Sequence, residues 1–282
     1  MSAEILITYG TLLLGVLAIW LKPKGFNRLP LWLLFTAVAF IFAILFNRAS
    51  LVSLIYSIIF GYCVYFYYKK QTYMLFIALL ILAVPLLLHL PFLEFNNYKF
   101  LDQITLTENA SPYSLYFNFD KTLVGIFIIA LSYKDIKINF KQLFKLLVIN
   151  ILVMSVFFLG LGTILGYSQF EPKLPDFTFV WILVNLFSTC LAEEAIFRKL
   201  LQQKLQDTLS GKYANIMSIS IASVVFGLAH FNGGVTYIIL ASIAGLFYGY
   251  MYYKTKRIES SMLLHVSFNL IHLLLFTYPS IK

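Results

Sequence analysis

Apolar runs follow one another along the chain, each closed by a short polar or basic stretch, which is the pattern of helices built to cross a bilayer. They lie at residues 5–21, 30–46, 51–68, 73–93, 113–133, 146–167, 177–191, 214–231, 235–253 and 262–278. The fifth is broken by Asp120 and Lys121, which leaves only Thr122 to Tyr133 clean and predicts a re-entrant or tilted element there. The first carries Glu4 where a signal peptide has a basic stretch, and Lys22-Pro23-Lys24 follows where a cleavage site belongs, so it reads as a retained span. The pattern as a whole predicts an all-α polytopic bundle of about ten membrane segments.

Composition agrees: 61% of the 282 residues are apolar, 12% are charged, and the mean hydropathy of +0.85 excludes an ordinary soluble domain. The net charge of +9 would suggest nucleic acid in a soluble protein. Here the basic residues fall between spans, where they orient the chain, so membrane lipid is the expected partner and nucleic acid is not. The basic loops hold Lys22, Lys24 and Arg28; Lys69 and Lys70; Lys134, Lys137 and Lys141; Arg198 to Lys212; and Lys254, Lys256 and Arg257. These are every second loop, which puts both termini outside, with Arg48 the one exception. Cys63 and Cys190 both lie in spans, so neither a disulfide framework nor a Cys-rich metal site is expected.

There is no repeat or low-complexity tract. Residues 1–112 read as an N-terminal membrane scaffold of about four helices, and 113–282 as the helical core, because polar groups at membrane depth concentrate late in the chain. Those groups are Asn150, Asn185, Glu193, Glu194, Asn215, His230, His265, Asn269 and His272. Gly162-x-x-x-Gly166 and Gly245-x-x-x-Gly249 have the spacing that lets helices approach closely.

Glu194 and Arg198, four apart on one helical face, form an ion pair in the favourable order. Glu193 is rotated by about 100° from that pair and stays free to titrate. The segment after Glu194 has no proline and continues as helix to a turn at Ser210-Gly211-Lys212. Glu193 and His230 then each lie about 24 Å from that turn and become level across an antiparallel hairpin, a carboxylate facing an imidazole as a general base for water. The polar face from Arg198 to Asp207 predicts that this hairpin projects from the membrane by two turns, which leaves Asn232-Gly233-Gly234 at depth in a cavity or re-entrant element. His265 and Asn269 share a face and are suited to holding an oxyanion, and His272 continues their stripe. His89 and the Asp120–Lys121 pair read as membrane-edge residues, and Cys190 as a small buried apolar residue rather than a nucleophile.

Glu193-Glu194-Ala195-Ile196-Phe197-Arg198, Phe226-Gly227-Leu228-Ala229-His230 and His265-Val266-Ser267-Phe268-Asn269 match E-E-x-x-x-R, F-x-x-x-H and H-x-x-x-N in order. In these the chain resembles the CPBP family, the CAAX prenyl protease and bacteriocin-processing (Abi) group of intramembrane glutamic endopeptidases, most clearly over 177–278. The resemblance implies that Glu193 and His230 activate water, that His265 and Asn269 hold the oxyanion, and that Glu194 and Arg198 support them, with no metal and no cofactor. It implies a peptide or protein substrate beside the membrane: a prenylated C-terminal Cys-containing protein, a bacteriocin leader, a peptide pheromone or a membrane-anchor segment fit equally. The cell membrane, with the site open to the cytoplasmic leaflet, is the expected location. Two alternatives stay open: a zinc hydrolase using Glu193, His230 and His265, though H-E-x-x-H is absent, and a non-enzymatic immunity or scaffold protein.

Overall fold

The computed structural model describes residues 1–21, 30–134, 136 and 139–282, so Lys22, Lys24, Arg28 and Lys137 of the basic loops lie outside the described residues. Among the described residues the chain forms ten helices and one two-stranded sheet: α1 Ala3–Ala18, α2 Leu31–Leu45, α3 Leu51–Lys70, α4 Tyr73–Leu87, β1 Tyr98–Ile104, β2 Tyr113–Phe117, α5 Phe119–Ser132, α6 Phe140–Ile164, α7 Thr178–Thr208, α8 Ala214–Leu228, α9 Gly234–Thr255 and α10 Ile258–Leu275. The protein is an integral membrane protein. Helices α3, α6, α7, α9 (with the turn before it) and α10 are long and apolar enough to cross a bilayer; α1, α2, α4 and α8 are apolar but shorter.

The expected bundle of about ten membrane segments is therefore coarser than the molecule. The 15 residues of α2, α4 and α8 extend about 22 Å at 1.5 Å per residue, short of a hydrocarbon core of about 30 Å. The apolar runs had counted turn residues as helix. The fifth segment departs most: residues 113–117 pair as β2 with β1, and α5 begins only at Phe119 and runs for 14 residues. Tyr and Phe alternating with Ser and Leu suit a strand as well as an apolar run.

The chain divides into two compact units. The first comprises Met1–Phe100, Tyr116–Lys134 and Phe187–Ala192. Ser50 starts α3 with a capping box, its hydroxyl accepting from the amides of Val52 and Ser53. Asp120, fully buried, accepts from the Asn97 amide at 2.9 Å and lies 2.8 Å from His89 Nδ1. His89 and Asp120, expected at membrane edges, thus tie the end of α4 to the start of α5.

The second unit comprises Leu101–Leu115, Asp135–Leu186 and Glu193–Lys282. Phe158 of α6 packs on Phe247 of α9 and Phe268 of α10, while Phe144, Val148, Leu152 and Val156 expose an apolar stripe at helical spacing, as lipid requires. Helices α8 and α9 cross closely at Gly227, where a Cβ would lie 2.6 Å from the Ile238 carbonyl oxygen. Beyond α10 the terminal residues bond to residues 109–111 and 167–171. There the Glu171 carboxylate accepts from Thr107, Asn109 and Gln169, which hold its pKa down to about 2.

Candidate active site

Helix α7 carries the two glutamates on a short α-helical stretch, Leu191–Glu194, set between π-helical stretches Asn185–Cys190 and Ala195–Gln202. Such widened turns recur at functional sites because they re-aim side chains without ending the helix. The helix ends at Thr208, and Gly211, at φ +95°, makes the turn that returns the chain as α8. Helix α8 stops at Leu228, two residues before His230, and the chain kinks through a 3₁₀ turn, Phe231–Gly233, and Gly234 at φ +78°. Only glycine takes that last angle without strain.

The hairpin brings Glu193 and His230 together: Glu193 Oε2 lies 4.0 Å from His230 Nε2. The same oxygen lies 3.9 Å from Nε2 of His265, which enters from α10. His230 Nδ1 sits 2.7 Å from the Phe226 carbonyl oxygen, four residues back. A carbonyl only accepts, so Nδ1 carries a proton, and in the neutral ring it is Nε2 that turns its lone pair towards Glu193. Phe226 therefore fixes the tautomer of His230 through its backbone while its ring packs 4.6 Å from the imidazole. Tyr237 meets the same imidazole edge to face at 5.4 Å.

Glu194 has a different environment. It is fully buried and accepts from Arg198 Nε at 3.3 Å, from His265 Nδ1 at 2.9 Å and from the Ser261 hydroxyl. The pair with Arg198 is thus not closed on itself: Glu194 also anchors His265 and turns its Nε2 towards Glu193. Tyr248 stacks flat on the His265 ring, at 4.2 Å between centroids and 18° between planes, and its carbonyl accepts from Ser261 at 3.1 Å. Arg198 lies over the Phe226 ring at 5.4 Å.

Asn269 Nδ2 donates to Asn185 Oδ1 at 3.1 Å, which commits one amide hydrogen and leaves the other. Ser261 and Tyr248 were not singled out from sequence, and Asn185 was named there without a role. Only Asn185 gave a signal, as a carboxamide at membrane depth; a serine and a tyrosine in spans are too common to mark a site. Of the remaining polar residues, Asn150 bonds to the Leu146 carbonyl of its own helix, Asn215 to the Tyr253 hydroxyl, and His272 packs 5.2 Å from Tyr278. Cys190 is fully buried. Among the described residues no group of three His, Cys, Asp or Glu side chains is placed to hold a metal ion.

Residues 175–271 match the family model described as Rce1-like, type II CAAX prenyl endopeptidase Rce1-like. No curated protein and no solved structure matches the chain. The matched segment, about a third of the chain, contains all three motifs, and over that segment the chain is similar to this family.

Proposed function

We propose that the chain is an intramembrane endopeptidase of the glutamate type, in which Glu193 and His230 activate a water for attack on a peptide carbonyl. The observation that carries this is one carboxylate oxygen facing two imidazole Nε2 atoms at 4.0 and 3.9 Å, beside a second carboxylate already engaged by three donors. Two hydrogen bonds of about 2.8 Å span a gap of that length at an angle of about 90°, close to what one water offers. Water gives its proton to Glu193 as its oxygen bonds to the carbonyl carbon, and the proton passes to the amide nitrogen as the C–N bond breaks.

The negative charge on the former carbonyl oxygen falls to the free amide hydrogen of Asn269 and to His265 Nε2. Because Nδ1–H is given to Glu194, Nε2 donates as part of an imidazolium, and Glu194 supplies the countercharge. Arg198 keeps Glu194 in place. A prenylated C-terminal substrate is what the family's description suggests, and the same chemistry serves a leader, pheromone or membrane-anchor peptide presented at the cytoplasmic leaflet. The small-peptide profile of membranes carrying wild type or Glu193→Gln tests the proposal. A product lost in the variant supports it; identical profiles contradict it.

A further inference from the structure

We propose that Gly245 and Gly249 of α9 form the seat of the Arg198 guanidinium, and through it position Glu194 and His265. The inference rests on the endopeptidase reading for its effect on turnover, but the seat itself is a matter of packing. A Cβ on Gly245 would lie 3.3 Å from Arg198 Nη2, and one on Gly249 would lie 3.3 Å from Nη1. The two nitrogens of one guanidinium thus rest where two side chains are missing, a turn apart on one helix face.

Arg198 has no other place to go. It is fully buried, Nε is held by Glu194, the plane lies over Phe226, and Nη1 and Nη2 have no hydrogen-bond partner among the described residues. Gln202 completes the seat from the next turn of α7: its Nε2 donates to the Gly249 carbonyl at 2.9 Å, and its Oε1 would sit 2.8 Å from a Gly249 Cβ. A methyl on Gly249 would crowd Gln202 Oε1, Ile219 Cγ2 at 3.0 Å and Arg198 Nη1, and a displaced guanidinium pulls Nε away from the carboxylate that anchors His265. A methyl on Gly245 meets the backbone of Ser223, with its Cα at 3.1 Å, whereas the three nearest atoms to one on Gly249 all belong to side chains, so Gly249→Ala probes the seat with less strain on the backbone. The spacing that reads in sequence as a generic helix contact is here a socket for a charged side chain.

The test measures kcat, KM and unfolding midpoint for Gly249→Ala, Arg198→Lys and their combination. Gly160→Ala serves as control, since a Cβ there meets nothing within 4 Å. The substrate is the precursor of a peptide that disappears from membranes carrying Glu193→Gln. Gly249→Ala is expected to lower kcat by about 10- to 100-fold with KM within about twofold, because the site is misplaced rather than emptied. Lysine lacks the two Nη branches, so the double variant should fall no further than Arg198→Lys alone and should recover unfolding midpoint, or membrane accumulation, lost in Gly249→Ala. Losses that multiply, or a wild-type kcat in Gly249→Ala, would overturn the inference. Should wild type and Glu193→Gln membranes give identical peptide profiles, the glutamate-type endopeptidase reading fails by itself, and the midpoints alone decide the seat: recovery by Arg198→Lys upholds it, a further drop overturns it.

Discussion

Replacing Glu194 by alanine is the most informative single perturbation of the supporting layer. In the native chain this carboxylate balances Arg198 where neither side chain has any solvent exposure. Truncation leaves the guanidinium buried and unpaired, and removing one partner of a buried pair costs about 3 to 5 kcal/mol. The Ser261 hydroxyl adds little, since it keeps the Tyr248 carbonyl at 3.1 Å. At about 2 to 4 °C per kcal/mol for a chain of this size, the unfolding midpoint should fall by roughly 6 to 20 °C. Circular dichroism of the purified protein in detergent reads this directly. Replacing both partners, Glu194→Leu with Arg198→Met, should restore most of the midpoint, because a well-packed apolar pair of similar volume is often neutral. Activity should stay lost in that double variant, since His265 Nδ1 still has no acceptor. A Glu194→Ala midpoint within about 2 °C of wild type would refute this electrostatic account of the layer.

Other expectations follow from single contacts. Asn185→Ala should lower kcat by about 10-fold with little effect on KM, as Asn269 loses the acceptor that orients its amide; steady-state kinetics decide. Gly227→Ala should cost about 1 to 3 kcal/mol or more by thermal unfolding, because its Cβ would fall 1.9 Å from Ser242 Oγ. Glu171 titrates at about 2 when folded against an ordinary 4.5, so its stabilising bonds, strongest from Thr107, are complete above pH 4.5 and fade as pH falls towards 2. The unfolding midpoints of wild type and Glu171→Gln should accordingly differ at pH 7 and converge near pH 2. Treatment with 1,10-phenanthroline or EDTA should leave peptide cleavage unchanged; a loss restored by zinc would favour the metal alternative.

The membrane class and the α7–α8 hairpin were legible in the sequence because each rests on local pattern: apolar runs and a glycine turn. Glu193 and His230 could be placed level because both are counted from one turn. Span number was less legible, since a run of apolar letters does not separate helix from the loop beside it, and Tyr113 to Phe117 read as membrane helix when they form a strand. The link between Glu194 and His265 was hidden for another reason. It joins α7 to α10 across 71 positions, and no spacing rule on a single helix predicts a bond of that range. The seat at Gly245 and Gly249 was visible as a motif, but its occupant was not.

Whether Glu193 performs the bond-breaking step is tested most directly by single-turnover cleavage of an identified peptide with purified wild type and Glu193→Gln, whose shape and packing are conserved. Loss of a positioned general base predicts a fall of about 10² to 10⁴ in the rate of the chemical step, with substrate binding and unfolding midpoint unchanged. A Glu193→Gln protein that cleaves within about tenfold of wild type would contradict the central claim.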